Sequence, residues 1–173
     1  GVAFDVQFPW KNLNLETVFI DSREYTRISL PGLMQGSTPQ SPEIPIFLES
    51  IAVPFGAALQ LEVIPGTAHT RQLSAPLLPV LTQVLDWPLP SEDAGGVLFP
   101  TTRSEVIEDP AIYGSNASYP GKLGEVSNDG VIRQQRVVGL SLYPIQYQAD
   151  TLELTIYEEL RVRVTFTGNT NLS

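Results

Sequence analysis

The sequence has no cysteine in its 173 residues and a single histidine. Disulfide frameworks, thiolate zinc sites and cysteine nucleophiles are thereby excluded, while the cellular compartment is left open. A Ser-His-Asp triad would have to use His69, yet no Gly-x-Ser-x-Gly elbow occurs, and the Thr67-Ala68-His69-Thr70 stretch reads as an exposed loop. Basic residues are scarce too: ten Lys and Arg are scattered among nineteen Asp and Glu, for a net charge of −9. Binding phosphates needs clustered positive charge, so no nucleic acid partner is expected. No apolar run approaches the roughly 20 residues of a membrane span. No basic stretch followed by an apolar one opens the chain, so any signal peptide is expected to have been removed or to lie outside this sequence. Sustained 3.6-residue periodicity is also missing, which excludes long amphipathic helices.

What is present is strand-length apolar alternation cut by fifteen prolines and thirteen glycines. Val2–Phe8 alternates with a period of two, and Glu16–Ile20 and Tyr25–Leu30 read as strands joined by a turn at Asp21-Ser22-Arg23-Glu24. Ile44–Val53 is apolar and β-branched, with Pro45 suited to a strand start or an edge. Ala57–Ile64 places Leu59, Leu61 and Val63 on one face, and Thr70–Ser74 is a further candidate strand. Prolines at 76, 79, 88, 90, 100, 110 and 120 then break up Ala75–Pro120, with one helical turn expected around Ser104–Glu108. A loop of about 45 residues in a compact domain points to function. Leu123–Val126, Val131–Arg133 and Gln135–Leu142 return to strand, with Asn128-Asp129-Gly130 as a hairpin turn. The chain closes with Leu152–Tyr157 and Leu160–Phe166, read as a two-stranded hairpin with Leu154, Ile156, Val162 and Val164 inward.

About ten short strands with turn signals between them define an all-β, antiparallel β-sandwich, jelly-roll-like, with a long Pro-rich loop region. Residues 1–167 are expected to form one domain burying about 70% of its unfolded surface, and 168–173 a tail or linker.

Few constellations carry chemistry. Ser91-Glu92-Asp93 and Glu105, Glu108 and Asp109 are acidic clusters without the Asp-x-Asp-x-Asp-Gly spacing of a calcium loop, so no metal and no cofactor is expected. Paired-carboxylate hydrolysis has no support beyond the presence of acids. Trp10, Trp87, Tyr113 and Tyr119 lie in or beside loops. Such aromatics plug loops onto a core, anchor a protein interface or stack on sugar rings.

Three stretches in order carry a resemblance. Gly36–Val53 runs from a Gly-containing loop into Pro42-Glu43-Ile44-Pro45-Ile46, Ile112-Tyr113-Gly114 precedes Tyr119-Pro120-Gly121, and Arg136–Tyr147 contains Pro144-Ile145-Gln146-Tyr147 ahead of Leu152–Phe166. Together they resemble the N-terminal propeptide of gingipain-type cysteine peptidases. The match runs from about Gly36 to Thr167, with Val138 in place of a glycine near Arg136 and Gln148-Ala149 in place of Asn-Pro.

The resemblance implies a non-catalytic β-sandwich prodomain of a secreted or cell-surface bacterial peptidase. Its partner would be the catalytic domain of the same precursor, whose folding it assists and whose active-site cleft it blocks with a loop. Counted from Ala75-Pro76, the position suited to the specificity pocket is Gln83, where arginine-specific relatives carry a basic residue. The contact candidates are accordingly Val80, Leu81, Thr82, Gln83, Val84, Asp86 and Trp87. The competing expectation is a carbohydrate-binding or adhesion sandwich that uses Trp87 and nearby loop aromatics.

Overall fold

The computed structural model describes residues 1–88 and 99–168. The strands are β1 (Val2–Gln7), β2 (Asn14–Ile20), β3 (Arg23–Ser29), β4 (Met34–Gln35), β5 (Pro45–Val53), β6 (Ala58–Pro65) and β7 (Ala68–Gln72). They continue with β8 (Thr82–Asp86), β9 (Thr101–Glu105), β10 (Ser118–Tyr119), β11 (Gly124–Ile132), β12 (Gln135–Leu142), β13 (Ile145–Gln148), β14 (Glu153–Tyr157) and β15 (Glu159–Thr167). The one α-helical turn among the described residues, α1, is Pro110–Tyr113. The sheets run β1-β15-β6, β10-β13-β14-β7 and β11-β12-β5-β4, with β2-β3 and β8-β9 as separate pairs. All strand pairs are antiparallel.

Inward side chains of the three larger sheets meet in one core that includes Val53, Val138, Leu140, Leu142, Ile145, Tyr147, Leu154, Ile156, Leu160, Val162 and Val164. Pro45 sits at the first position of β5, where its missing N–H costs no central ladder bond. The β2–β3 turn has Asp21 and Ser22 at φ 50° and 65°, the left-handed pair of a two-residue hairpin.

Four expectations are corrected. First, Leu152–Tyr157 and Leu160–Phe166 do not form a hairpin: β14 pairs with β13 and β7, whereas β15 pairs with β1 and β6. Only Glu158 separates them; its N–H donates to Thr67 C=O at 2.8 Å and its C=O accepts from Phe8 N–H at 2.9 Å, so the chain passes from one sheet to the other. A two-residue turn would have placed Ile156 opposite Arg161, on the same face, and so mixed apolar with charged residues. The alternation instead stays in phase through 154, 156, 160, 162 and 164, all buried. Second, Asn128-Asp129-Gly130 is an irregularity within β11, with the register shifting between Ser127 and Gly130, and the turn lies at Arg133-Gln134 with φ 47° and 66°. The Asp129 carboxylate accepts from the Arg136 guanidinium, which also donates to Ala57 C=O at 2.6 Å, tying the bulge to the β5–β6 connection.

Third, the Ala75–Pro120 region is not all loop. It contains the β8–β9 hairpin, and its helical turn is α1 rather than Ser104–Glu108, because Asp109 caps Ala111 N–H at 2.9 Å and Pro110 opens the helix. Fourth, the strand expected at Thr70–Ser74 begins earlier, at Ala68, so His69 lies in β7 and not in a loop. Residues 91–93 and 169–173 lie outside the described residues. No helix among the described residues is long and apolar enough to cross a membrane.

Register gives a stability test. Val162 is fully buried, so Val162→Ala should lower the unfolding free energy by about 1–3 kcal/mol. Arg161 points to the opposite face, where it holds Asp5 at 2.8 Å; Arg161→Ala should shift the urea midpoint far less. Equal shifts would contradict the register.

Candidate functional site, an anchored arm

The stretch from Ala75 to Val80 crosses the domain as an extended segment with two prolines, so it offers few backbone donors, and those of Leu77, Leu78 and Val80 are all used. Thr26 N–H donates to Pro76 C=O and Leu78 N–H to Thr26 C=O, both at 2.8 Å. Glu43 N–H donates to Leu78 C=O at 2.9 Å, Val80 N–H to Ser41 C=O at 2.8 Å and Gln40 N–H to Val80 C=O at 3.1 Å. The Thr26 hydroxyl adds a bond to Ala75 C=O at 3.0 Å. Leu77 and Leu78 are fully buried between these partners. A buried extended segment is stable only when its peptide groups are paired in this way.

Two phenols complete the pairing at Leu77. Its N–H donates to the Tyr147 hydroxyl at 3.3 Å, and its C=O accepts from the Tyr113 hydroxyl at 2.7 Å. Tyr147 projects from β13 into the core, and Tyr113 ends α1, whose capping residue Asp109 donates its own N–H to Gln40 C=O. Burial pushes both phenols above the ordinary tyrosine value, Tyr113 well above it. The neighbouring Gln146 side chain accepts from Gly121 N–H at 2.9 Å and donates to Lys122 C=O at 3.0 Å. Gly121 has φ +78°, which favours glycine there. The Tyr-Gly and Pro-x-Gln-Tyr stretches, far apart in sequence, thus converge on the segment that carries the arm, and Tyr-Pro-Gly packs beside them through Gln146 and Tyr147.

Beyond Val80 the chain enters the β8–β9 hairpin, with Gln83 opposite Ser104 and Leu85 opposite Thr102. Gln83, Leu85 and Trp87 share the exposed face, Leu85 being 60% and Trp87 65% exposed, while Thr82, Val84 and Asp86 are half-buried. Phe99, where the described chain resumes, is 75% exposed. Gln83 donates its amide to Ser104 Oγ at 2.8 Å. The Arg103 guanidinium is held by Asp86 from across the hairpin and by Glu105 on its own strand. A cleft of about 500 Å³ between this hairpin and the β2–β3 turn is lined by Ile20, Asp21, Leu81, Arg103, Glu105 and Val106.

The expected contact residues therefore divide. Gln83 and Trp87 project; Thr82, Val84 and Asp86 lie on the half-buried side; Val80 and Leu81 lead from the root at Leu77 into the hairpin. Leu85 and Arg103 were missed, although period-two alternation from Gln83 marks Leu85. Trp10 stacks on His69 with ring centroids 3.4 Å apart, and His69 Nε2 lies 3.1 Å from a Glu158 carboxylate oxygen. Tyr113 is tied to the root and Tyr119 pairs across to Tyr147 in the β10–β13 ladder, so among these four aromatics Trp87 is the exposed one. Among the described residues no cluster of His, Asp and Glu could hold a metal ion.

The family model Propeptide_C25 matches residues 2–172, and the chain belongs to that family as a non-catalytic propeptide domain. Lys-gingipain from Porphyromonas gingivalis strain ATCC 33277 is 25% identical over 169 residues, which is 95% of this chain and 9% of that protein. Lys-gingipain HG66 of the same species matches at the same identity and coverage. The chain thus spans only 9% of the length of these relatives. The fold is shared with a structure described as bearing on zymogenic latency of gingipain K from Porphyromonas gingivalis, with TM-score 0.70, 23% identity, and 95% and 86% of the two chains covered. It is also shared with the complex of Porphyromonas gingivalis RgpB pro- and mature domains, with TM-score 0.73, 19% identity, and 96% and 80% covered.

The phenol pair predicts an alkaline response. Folding raises the Tyr113 and Tyr147 pKa values, so stability is complete below the unfolded tyrosine value of about 10 and falls as pH rises above it. Chemical denaturation across neutral and alkaline pH should show that fall, and Tyr113→Phe should weaken it. At neutral pH the same substitution leaves Leu77 C=O without its donor and should cost about 1–3 kcal/mol. An unchanged midpoint at neutral pH would contradict the anchor.

Proposed function

We propose that this chain keeps the catalytic domain of its own precursor, a gingipain-like cysteine peptidase, latent by laying the Val80–Trp87 arm over the active-site cleft. Residues 1–167 act as one docking unit and 168–173 as the tail or link to a following domain, in a precursor destined for secretion or the cell surface. The observation that carries the reading is the arm itself: a root fixed at Leu77 and an exposed face of Gln83, Leu85 and Trp87. Holding the root in place before docking lowers the entropy lost on binding. Gln83 is neutral and long, and it is the residue assigned to the specificity pocket, so the cognate peptidase need not favour a basic side chain. The same docking surface would assist folding by giving the nascent catalytic domain a formed face to pack against.

Central desolvated side chains usually carry a disproportionate share of affinity. Gln83→Ala, Leu85→Ala and Trp87→Ala should each raise the inhibition constant against the purified catalytic domain by at least about tenfold. Arg71→Ala, exposed on β7, should leave it unchanged. Arm variants that inhibit as well as the parent, beside Tyr113–Pro120 variants that do not, would put the blocking surface elsewhere. Absence of inhibition by the parent chain would favour the carbohydrate-binding or adhesion reading, for which Trp87 is the exposed aromatic.

A further inference from the structure

We infer that the outer edge of β2 is an interaction surface on which a second copy of this chain pairs antiparallel, related by a two-fold axis through Thr17. Thr26 directs its N–H to Pro76 and its C=O to Leu78, away from β2. Its cross-strand partner Thr17 is therefore a non-hydrogen-bonded position, and the alternation of an antiparallel ladder gives Leu15 and Phe19 the same status. The peptide groups of Leu15, Thr17 and Phe19 thus face outward, and among the described residues no hydrogen bond reaches them. Their side chains share one face, with Phe19 68% and Leu15 38% exposed.

Such an edge is usually blunted by lysine, proline or a bulge, or kept very short. Asn14–Ile20 has no Lys, no Pro and no bulge, and its one charge is Glu16, in contrast to the two-residue β4 and β10 and to β6 with its terminal Pro65. The strand is also complementary to itself. A two-fold axis at Thr17 sets Leu15 against Phe19 of the second copy and Thr17 against Thr17, and these are the three positions whose peptide groups point outward. On the other face Glu16 meets Val18 and Asn14 meets Ile20, so no like charges stand directly opposite. Within its own chain Glu16 already faces Arg27. This isologous contact closes on itself as a dimer rather than growing into a fibre, and it involves none of the arm residues assigned to peptidase docking.

Sedimentation velocity over a concentration series, with amide hydrogen exchange at both ends of the series, tests the pairing. The mass should rise from 19.0 kDa towards twice that value. The amides of Leu15, Thr17 and Phe19 should slow with concentration, while those of Glu16 and Val18, already bonded within the hairpin, stay constant. Thr17→Pro removes an outward N–H that the hairpin does not use, and Phe19→Lys installs an edge charge. Each should move the association midpoint at least tenfold, with circular dichroism showing the fold retained, and Phe19→Lys decides if Thr17→Pro unfolds. A parent chain that stays monomeric throughout would overturn the inference. So would association that survives both substitutions but is lost in Trp87→Ser, which would place the contact on the arm.

Discussion

Everything beyond Val80 depends on how the peptide group of Leu77 is held. Two phenol hydroxyls, from Tyr147 and Tyr113, take its N–H and C=O, and the flanking groups bond to Thr26, Ser41, Glu43 and Gln40. A segment with two prolines cannot join a sheet as an ordinary central strand, because it lacks the donors for a ladder. Side chains and loops supply the missing partners instead. The arm therefore starts from a fixed point in the core.

The sandwich supplies that fixed point through a sheet crossover. β13 carries Tyr147 and pairs with β14, which continues past Glu158 as β15 into the opposite sheet. The core residues of both sheets lie in phase along this one stretch, so the layers are locked together next to Tyr147. The second anchor, Tyr113, depends on a four-residue helix that is stable only because Asp109 caps it and Gln40 receives the Asp109 N–H. Core, crossover, capped helix and arm root are one connected set of constraints.

Much of the fold was legible because alternation reports faces directly. Leu154, Ile156, Val162 and Val164 were read as core, and they are buried. Alternation does not report partners, so β14 and β15 were read as a hairpin when they lie in different sheets. Asn-Asp-Gly tolerates a turn and a bulge equally well, and the Arg136 contacts with Asp129 and Ala57, which decide between them, are not visible in local sequence. The arm was legible as an anomaly of proline spacing, and its outward residues Gln83 and Trp87 were named, but Leu85 and the cross-strand Arg103 were not. The hydroxyl pair at Leu77 joins residues separated by 36 and 70 positions, a spacing that no local pattern reveals.

The central claim is that the arm rides on a rigid root, and native-state amide hydrogen exchange at Leu77, Leu78 and Val80 tests it most directly. If the root is part of the core, these three amides exchange only through global unfolding, with the same denaturant dependence as Leu140 in β12 and Leu154 in β14. Amides of Leu85 and Asp86 in the exposed hairpin should exchange through local openings of lower free energy. If Leu77, Leu78 and Val80 instead exchange together with the hairpin, the arm is tethered by a loose segment and the account of its anchoring is wrong.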